Sequence, residues 1–319
     1  MKHREPYELL GVSPAVADAI AQVARAGGDD RGVLITAEPG LDAEAVARAI
    51  HHRSGRRPQP FVVLPCDGAS APALEKQLIG GPPPAKSADL ERLSQSSALA
   101  RAAGGTLFLS GVNEMSAPLQ RRLARVLRDG EVRVARRAAP MVLDVRVIAA
   151  VEDRLDAGLR EELVRRLPLT VEVPALRKRR EDVQAIAEAM LADRHDRRGF
   201  TPAAVTVLAA LPWRRNTAEL GRLIERLTAT GSSSHPIRQE DVLAEVQLDR
   251  APARPTGSLR DARRQFEREF IASVLRDHAW QMRDAARALG IERANLYRKA
   301  RQLGIPLRRE GAAEGRVSG

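Results

Sequence analysis

The strongest constraint on the fold is an alternation of apolar runs with amphipathic helical segments in the first half of the chain. Four runs have the length of buried strands: GVLIT (32–36), PFVVLPC (60–66), GTLFLSG (105–111) and LDVRVIAAV (143–151). Helical patterns such as DAEAVARAIHHRS and APLQRRLARVLRDG separate them. Strands that alternate with helices in this way form a parallel sheet covered on both faces. The sequence therefore predicts an α/β core of three layers.

Two further regions follow this core. After about residue 178 the pattern is purely helical, as in REDVQAIAEAMLADRH and TAELGRLIERLTATG, and it predicts a helical subdomain. The segment LDRAPARPTGS (248–258) has three prolines or glycines among small residues and predicts a linker. A helical module of about sixty residues lies behind it.

Composition excludes several classes of protein. The chain has 319 residues, of which 44% are hydrophobic, enough for two or three domains with a real core. No run approaches the roughly 18 apolar residues of a membrane span, and the N-terminus lacks the apolar region of a signal peptide. We therefore expect a cytoplasmic protein of the nucleoid, with no membrane partner. A single cysteine, Cys66, excludes an internal disulfide, and no metal-ligand cluster is evident.

The positive charge is concentrated at one end of the chain. The net charge is +11, and residues 251–319 hold 15 lysines and arginines against 8 aspartates and glutamates. A net +7 therefore lies in the last fifth of the chain. A basic excess of this kind favours a polyanionic partner, which we expect at the C-terminal module.

The first helix of that module predicts self-association. Phe266, Phe270 and Val274 recur at four-residue spacing and form an apolar stripe. Little else in the module can cover a stripe so wide. We therefore expect this helix to pair with a second copy, giving a dimer, with a higher oligomer left open.

The rest of the module has a helix-turn-helix pattern. A short helix with Ala285 and Ala286, a turn at Gly290, and a second helix with Leu296 and Ala300 facing inward match that motif. The outer face suits DNA, because arginine can read guanine, asparagine can read adenine, and arginine, lysine and tyrosine can hold phosphates. The predicted DNA-binding residues are Arg283, Arg293, Asn295, Tyr297, Arg298, Lys299 and Arg301.

This stretch resembles the Fis-type helix-turn-helix. The second helix of that family has a leucine-tyrosine-arginine-lysine run before a final leucine-glycine-isoleucine, and here residues 296–299 and 303–305 read LYRK and LGI. Glu292 stands where the family usually has a serine or threonine cap, which removes one hydrogen bond but leaves the fold. The resemblance implies double-stranded DNA as a partner.

The body resembles the AAA+ domain of bacterial enhancer-binding proteins, the sigma-54-dependent activators, from about Leu10 to Val246. GGTLFLSGVNEMSAPLQRRLARVLRDGEVRV looks like its central strand, helix and hairpin, and LREELVRRLPLTVEVPALRKRREDV like its arginine-finger helix and the entry to its lid. The resemblance implies an α/β fold with a small all-α domain behind it. The expected parts are an AAA+ core with a three-layer parallel sheet (1–175), a helical lid subdomain (176–247), a linker (248–258), a helix-turn-helix DNA-binding domain (259–308) and a flexible tail (309–319).

The phosphate-binding loop of that family has lost its phosphate chemistry here. The family's loop reads glycine, glutamate, serine, glycine, threonine, glycine, lysine, glutamate, whereas residues 37–44 read AEPGLDAE. A phosphate cradle needs convergent backbone N–H groups, glycines that permit that path, and a lysine. Pro39 deletes an N–H, Asp42 adds negative charge, and Ala43 replaces the lysine. Ala37, Gly40, Asp42 and Ala43 therefore belong to a degenerate nucleotide site.

Other residues that hold magnesium, orient water or contact phosphate in that family are also replaced in this chain. After the strand TLFL the family has an aspartate that holds magnesium and a glutamate that polarises water, and here Ser110 and Gly111 stand there. The lid's sensor arginine corresponds to Ala218. At the end of the fourth strand, threonine and asparagine become Val151 and Glu152. We therefore predict no catalytic residues, no ATP hydrolysis, no nucleotide cofactor and no metal.

Two features concern protein partners. Arg160 and Arg166 match the family's arginine-finger positions, although arginines that face water on a helix are common. The family's glycine-alanine-phenylalanine-threonine-glycine-alanine loop, which touches the sigma factor, has no counterpart, since residues 75–105 contain no phenylalanine.

These observations favour one function and leave two alternatives. We expect a DNA-binding transcriptional regulator on an inactive AAA+ scaffold, which represses by occlusion or contacts RNA polymerase. The first alternative is a pseudo-ATPase subunit that assembles with an active AAA+ homologue and modulates it. The second is an active ATPase with an unorthodox loop, which needs another cation, for which Arg48 is the nearest candidate.

Overall fold

The apolar runs form a five-stranded parallel sheet, as the sequence predicts. Its strands are β1 (Val33–Ala37), β2 (Phe61–Pro65), β4 (Thr106–Ser110), β7 (Arg146–Glu152) and β8 (Leu169–Glu172). They lie in the order β2-β4-β7-β1-β8 across the sheet. The edge strand β8 is the one member that the apolar runs did not predict. It is four residues long and only Val171 is buried, so its pattern carries little signal.

The structure is a computed structural model that describes most of the chain. The described residues are 6–80, 90–135, 139–152, 158–229 and 235–250, followed by 268, 271, 274–275, 280–289, 291–303 and 305. The chain divides into two compact units, Met1–Val246 and Gln247–Gly319.

Helices cover both faces of the sheet, which confirms the three-layer α/β core. A hydrophobic cluster lies on each face of the sheet. Successive side chains of β1 alternate between the two faces, so Val33 and Ile35 belong to one cluster and Leu34 to the other. The helices on the first face are α1 (Pro14–Gly27) and α2 (Ala43–His52). Those on the second are α3 (Ala71–Leu78), α4 (Ala98–Arg101), α5 (Ala117–Asp129) and α6 (Glu161–Val164).

A second, three-stranded sheet packs on the second face. It contains β3 (Glu91–Leu93), β5 (Glu131–Val134) and β6 (Met141–Val142), in the order β3-β5-β6. β5 and β6 are antiparallel and form the hairpin that the resemblance implies. Glu91 is buried and accepts hydrogen bonds from Arg122 (2.6 Å) and Arg125 (2.7 Å), which fastens β3 to α5.

The helical subdomain follows the sheet. Its helices are α7 (Val183–Asp193), α8 (Pro202–Ala210), α9 (Asn216–Ala229) and α10 (Gln239–Arg250). Residues 248–250 are therefore helical where the sequence predicted linker, while 251–258 lie outside the described residues. The run of helix-forming residues ends only before Pro252, and proline disfavours helical backbone at the residue that precedes it. Among the described helices, none combines the length and hydropathy that a membrane crossing requires.

The C-terminal unit contains the predicted pair of short helices, α11 (Met282–Ala288) and α12 (Arg293–Gln302). Ala285, Ala286, Leu296 and Ala300 are buried in one cluster with Ile271, Leu275 and Ile305. Val274 is partly buried against the same cluster, so some of the apolar stripe is covered within one copy. The predicted turn residue Gly290 and the predicted dimer residues Phe266 and Phe270 lie outside the described residues.

Candidate functional site

The segment between β1 and α2 directs its backbone N–H groups to acceptors within the protein. The hydrogen bonds run from Leu41 N to Glu38 O (3.1 Å), Asp42 N to Glu8 Oε1 (3.1 Å), Ala43 N to Leu41 O (3.2 Å) and Ala45 N to Asp42 Oδ1 (2.9 Å). The Asp42 side chain is thus the N-cap of α2. Leu41 is buried in the core beneath the segment, which anchors it further. Four amides of the segment, those of Leu41, Asp42, Ala43 and Ala45, therefore have acceptors inside the protein.

The start of α9 lies directly on this segment. Asn216 Nδ2 donates to Pro39 O (3.0 Å), and both Thr217 Oγ1 (3.0 Å) and Ala218 N (2.9 Å) donate to Gly40 O. Gly40 permits the approach, since a Cβ there would lie 2.1 Å from Arg215 O and its φ is +85°. Ala218 therefore joins the contact through its backbone, where the family has an arginine side chain.

Glu8 connects the two elements and was missed by sequence reasoning. Its side chain is 1% exposed, and Oε1 accepts hydrogen bonds from Asp42 N (3.1 Å) and from Thr217 Oγ1 (2.7 Å). Burial raises the pKa of Glu8, while these two donors oppose the rise. The sequence around Glu8 gives no sign of this role, because an acidic residue before an apolar pair is typical of a surface turn. The two hydrogen-bond partners of Glu8 also lie 34 and 209 residues away in the chain.

A buried arginine balances the charge around Glu8. Arg179 has no exposed surface, and its Nη1 donates to the backbone carbonyl of Glu8 (2.6 Å). Burial lowers the pKa of Arg179, and the charges of Glu8 and Asp182 oppose this. Asp182 accepts hydrogen bonds from Val12 N (2.7 Å) and Ser13 N (3.0 Å), so the residues before α1 are tied to the same cluster.

The end of β4 carries no carboxylate. Ser110 closes β4, and Gly111 follows in the left-handed region with φ +64°. The next carboxylate, Glu114, is exposed and accepts a hydrogen bond from Asn113 (3.2 Å). Over the described ranges no group of three or more histidine, cysteine, aspartate or glutamate side chains could hold a metal ion.

Arg48 and the pair Arg160 and Arg166 differ in their surroundings. Arg48 pairs with Glu44 (2.7 Å) and lies 4.6 Å over the Phe61 ring. Arg160 and Arg166, at the two ends of α6, are exposed, and Arg160 lies 3.7 Å from Glu162.

The second helix of the C-terminal unit presents its polar side chains on one face. Tyr297 is exposed, with the Arg293 guanidinium 5.7 Å from its ring centre. Arg298 donates to Asn295 Oδ1 (2.5 Å), and both Asn295 and Lys299 are partly buried. The Glu292 side chain makes no capping hydrogen bond. The exposed members of the predicted set are Arg283, Arg293, Tyr297, Arg298 and Arg301.

Comparison with known proteins identifies both parts of the chain. Residues 9–173 match the family described as Sigma-54 interaction domain, and residues 262–303 match Bacterial regulatory protein, Fis family. The chain belongs to the sigma-54-dependent transcriptional regulators. Both resemblances inferred from the sequence are thereby confirmed.

Individual regulators of this family align along most of the chain. It is 33% identical to transcriptional regulatory protein ZraR of Escherichia coli K12 over 307 residues, covering 92% of this chain and 68% of ZraR. It is 32% identical to the anaerobic nitric oxide reductase transcription regulator NorR of Citrobacter koseri over 322 residues, covering 93% of this chain and 63% of NorR. The chain therefore spans between 63% and 68% of the length of these two regulators.

Solved structures confirm the fold. NtrX from Brucella abortus in complex with ADP has a TM-score of 0.64 and 29% identity, covering 93% of this chain and 69% of NtrX. The complex of NtrX with ATP has a TM-score of 0.62 and 28% identity, covering 92% and 69%. A point mutant of RuvB from Thermotoga maritima, at 14% identity and a TM-score of 0.58 over 94% of this chain and 91% of RuvB, shares the fold alone.

Proposed function

We propose that this chain is a sequence-specific DNA-binding transcriptional regulator that acts without ATP hydrolysis, on an AAA+ scaffold whose nucleotide cleft is closed. The observation that carries the proposal is the engagement of the loop amides of Leu41, Asp42 and Ala43 with acceptors inside the protein. An anion site at the N-terminus of a helix depends on free N–H groups that converge on the ligand. Here a triphosphate would have to displace those internal acceptors.

The charges around the cleft support the same function. Asp42 and the buried Glu8 bring carboxylates to the loop, and Ala43 supplies no cation. Glu38 forms an ion pair with Arg177 (2.7 Å), so this nearby guanidinium already has an acidic partner. Arg48, the one cation considered as a replacement for the lysine, is committed to Glu44 and the Phe61 ring. This pairing weighs against the alternative of an active ATPase with an unorthodox loop, which needs a free cation in place of the lysine.

A thermal unfolding experiment with magnesium-ATP tests the absence of nucleotide binding. A ligand that binds only the folded state at a hundred times its Kd stabilises it by about 2.7 kcal/mol. We expect no shift in the Tm of this chain at millimolar magnesium-ATP. NtrX, whose structure is known with ATP, serves as the positive control. A clear rise in Tm of this chain would refute the closed nucleotide cleft on which the proposed function rests.

The exposure of Arg160 and Arg166 favours one second candidate, the pseudo-ATPase subunit. Both guanidinium groups are at the surface, where a neighbouring subunit of an active homologue could receive them. Stoichiometric co-purification with an intact homologue, lost on replacing both arginines with alanine, would favour this function over the first.

A further inference from the structure

The Glu8 carboxylate lies at the point where the β1–α2 segment of the core meets α9 of the helical subdomain. We propose that Glu8 is an internal ligand of the old nucleotide cleft, which fills the anion position at the start of α2 and holds the subdomain against the core in place of a nucleotide. The inference rests on the proposed function, since ATP bound at this loop would compete with the Glu8 carboxylate for the same amide.

A single oxygen atom makes the connection. Glu8 Oε1 accepts one hydrogen bond from the backbone of Asp42 in the core and a second from the Thr217 hydroxyl in the subdomain. Thr217 also reaches Gly40 O at 3.0 Å, so the three groups close a small network. In a phosphate loop, the backbone amide just before the lysine position donates to a phosphate oxygen, and in this chain that amide is Asp42 N. A carboxylate oxygen therefore stands where a phosphate oxygen would.

Burial raises the pKa of Glu8, and several features of the position offset part of the cost of burying its negative charge. The carboxylate lies at the N-terminal end of α2, where the helix dipole and the first N–H groups of the helix stabilise an anion. The buried guanidinium of Arg179 donates to the Glu8 backbone carbonyl, which brings a positive charge near the carboxylate without a direct ion pair. Removing the carboxylate would leave Asp42 N without its acceptor, would leave the Thr217 hydroxyl with Gly40 O alone, and would remove one of the two acidic groups, Glu8 and Asp182, whose charges favour the charged form of Arg179.

The same geometry explains how one residue could exclude a nucleotide. Glu8 is 1% exposed and belongs to the chain, so it competes intramolecularly with a dissolved anion for the loop amide. A phosphate approaching the segment would meet an engaged amide and a fixed negative charge.

Hydrogen exchange in the full chain, without nucleotide, tests the proposal. In Glu8→Ala the amide of Asp42 loses its acceptor, so we expect its exchange to accelerate at least about tenfold. Glu8 does not touch the Ala218 amide, which donates to Gly40 O and reports whether the subdomain has loosened from the core. We expect the Ala218 amide to accelerate as well. Accelerated exchange at Asp42 with unchanged exchange at Ala218 would overturn the coupling.

Three further variants separate the coupling from a loss of folding. Glu8→Gln keeps an oxygen acceptor and should restore most of the protection at both amides. Thr217→Val removes one donor, and its effect should not add to that of Glu8→Ala because both changes break the same network. Glu44→Ala, at a partly exposed glutamate two residues from Asp42, is the matched control and should change neither amide. If Glu8→Ala does not fold, unchanged Ala218 exchange in Thr217→Val overturns the proposal.

The outcome is distinguishable from that of the proposed function. The ATP experiment uses the unmodified chain and asks whether nucleotide binds, whereas the exchange experiment asks whether Glu8 couples two elements. A wild-type Tm that rises with magnesium-ATP refutes the proposed function whatever the exchange shows. Fully additive effects of Glu8→Ala and Thr217→Val refute the internal-ligand proposal whatever the ATP result.

Discussion

His51 lies near the C-terminal end of α2 with its ring buried against the sheet. Its Nδ1 is 2.9 Å from Thr106 Oγ1, and its ring centre is 5.2 Å from that of Phe61. Burial is the largest cause that lowers the pKa of His51, and the charges of His52, Arg146 and Arg48 act in the same direction. The folded protein therefore resists a proton that the unfolded chain accepts.

This single residue should make stability depend on pH. Because the unfolded state binds the proton near pH 6.5 and the folded state only at lower pH, the free energy of unfolding falls as the pH drops below about 6.5. The loss amounts to about 1.4 kcal/mol per pH unit until the folded pKa is reached. His51→Gln keeps a neutral acceptor for Thr106 and removes the titration.

Chemical denaturation between about pH 7 and pH 5 measures this effect. Both proteins will lose some stability through other titrating groups, so the informative quantity is the difference between wild type and His51→Gln. We expect that difference to move in favour of the variant as the pH falls. Parallel curves would show that His51 does not titrate in this range.

At the scale of elements, the exposed face of α12 carries the proposed DNA contacts. Arg298 and Lys299 lie side by side in sequence, on a helix whose buried face fixes it against α11. We expect Arg298→Ala with Lys299→Ala to weaken DNA binding for specific and nonspecific sequences alike. Each lost phosphate contact should reduce the slope of log Kd against log salt by about 0.9.

Mobility-shift titrations over a range of salt concentrations check this prediction. Arg92→Ala with Arg133→Ala is a matched control, since it removes two exposed arginines from the β3–β5 pair of the body. The control should leave the salt slope of the C-terminal unit nearly intact. Equal losses in both double variants would mean that total charge, not α12, governs binding.

Elements were predictable where local pattern and burial agree. The four apolar runs became β1, β2, β4 and β7, and the small alanines of the helix-turn-helix are buried as expected. The strand β8 was not predicted, because only one of its four residues is buried and its sequence has no apolar run. The absence of a lysine at position 43 could be read from the sequence, but the contacts of the loop could not. The contact between Glu8 and Thr217, which we propose closes the loop, joins residues 209 apart in the chain.

At the scale of the whole molecule, self-association through the first helix of the C-terminal module stays a prediction. Phe266 and Phe270 lie outside the described residues, and Val274 is partly covered within its own unit. We expect Phe266→Ser with Phe270→Ser to shift the chain from dimer to monomer. Binding to a DNA with two half-sites should weaken more than binding to one half-site, because the pairing contributes only when both are occupied.

Sedimentation at several protein concentrations measures this change. Val142→Ser is a suitable control, since Val142 is 69% exposed on β6 of the body. It should leave the sedimentation profile unchanged. A monomeric wild type, or a double serine variant that remains dimeric, would contradict the assignment of this helix.

The contact at Gly40 also bears on what a single reversion could restore. Returning a lysine to position 43 would leave Pro39, Asp42 and Glu8 where they are, and α9 would still rest on a glycine that admits no side chain. Under the proposed function, Ala43→Lys alone is therefore expected not to restore ATP binding, because the added cation would meet a loop whose amides already have acceptors inside the protein.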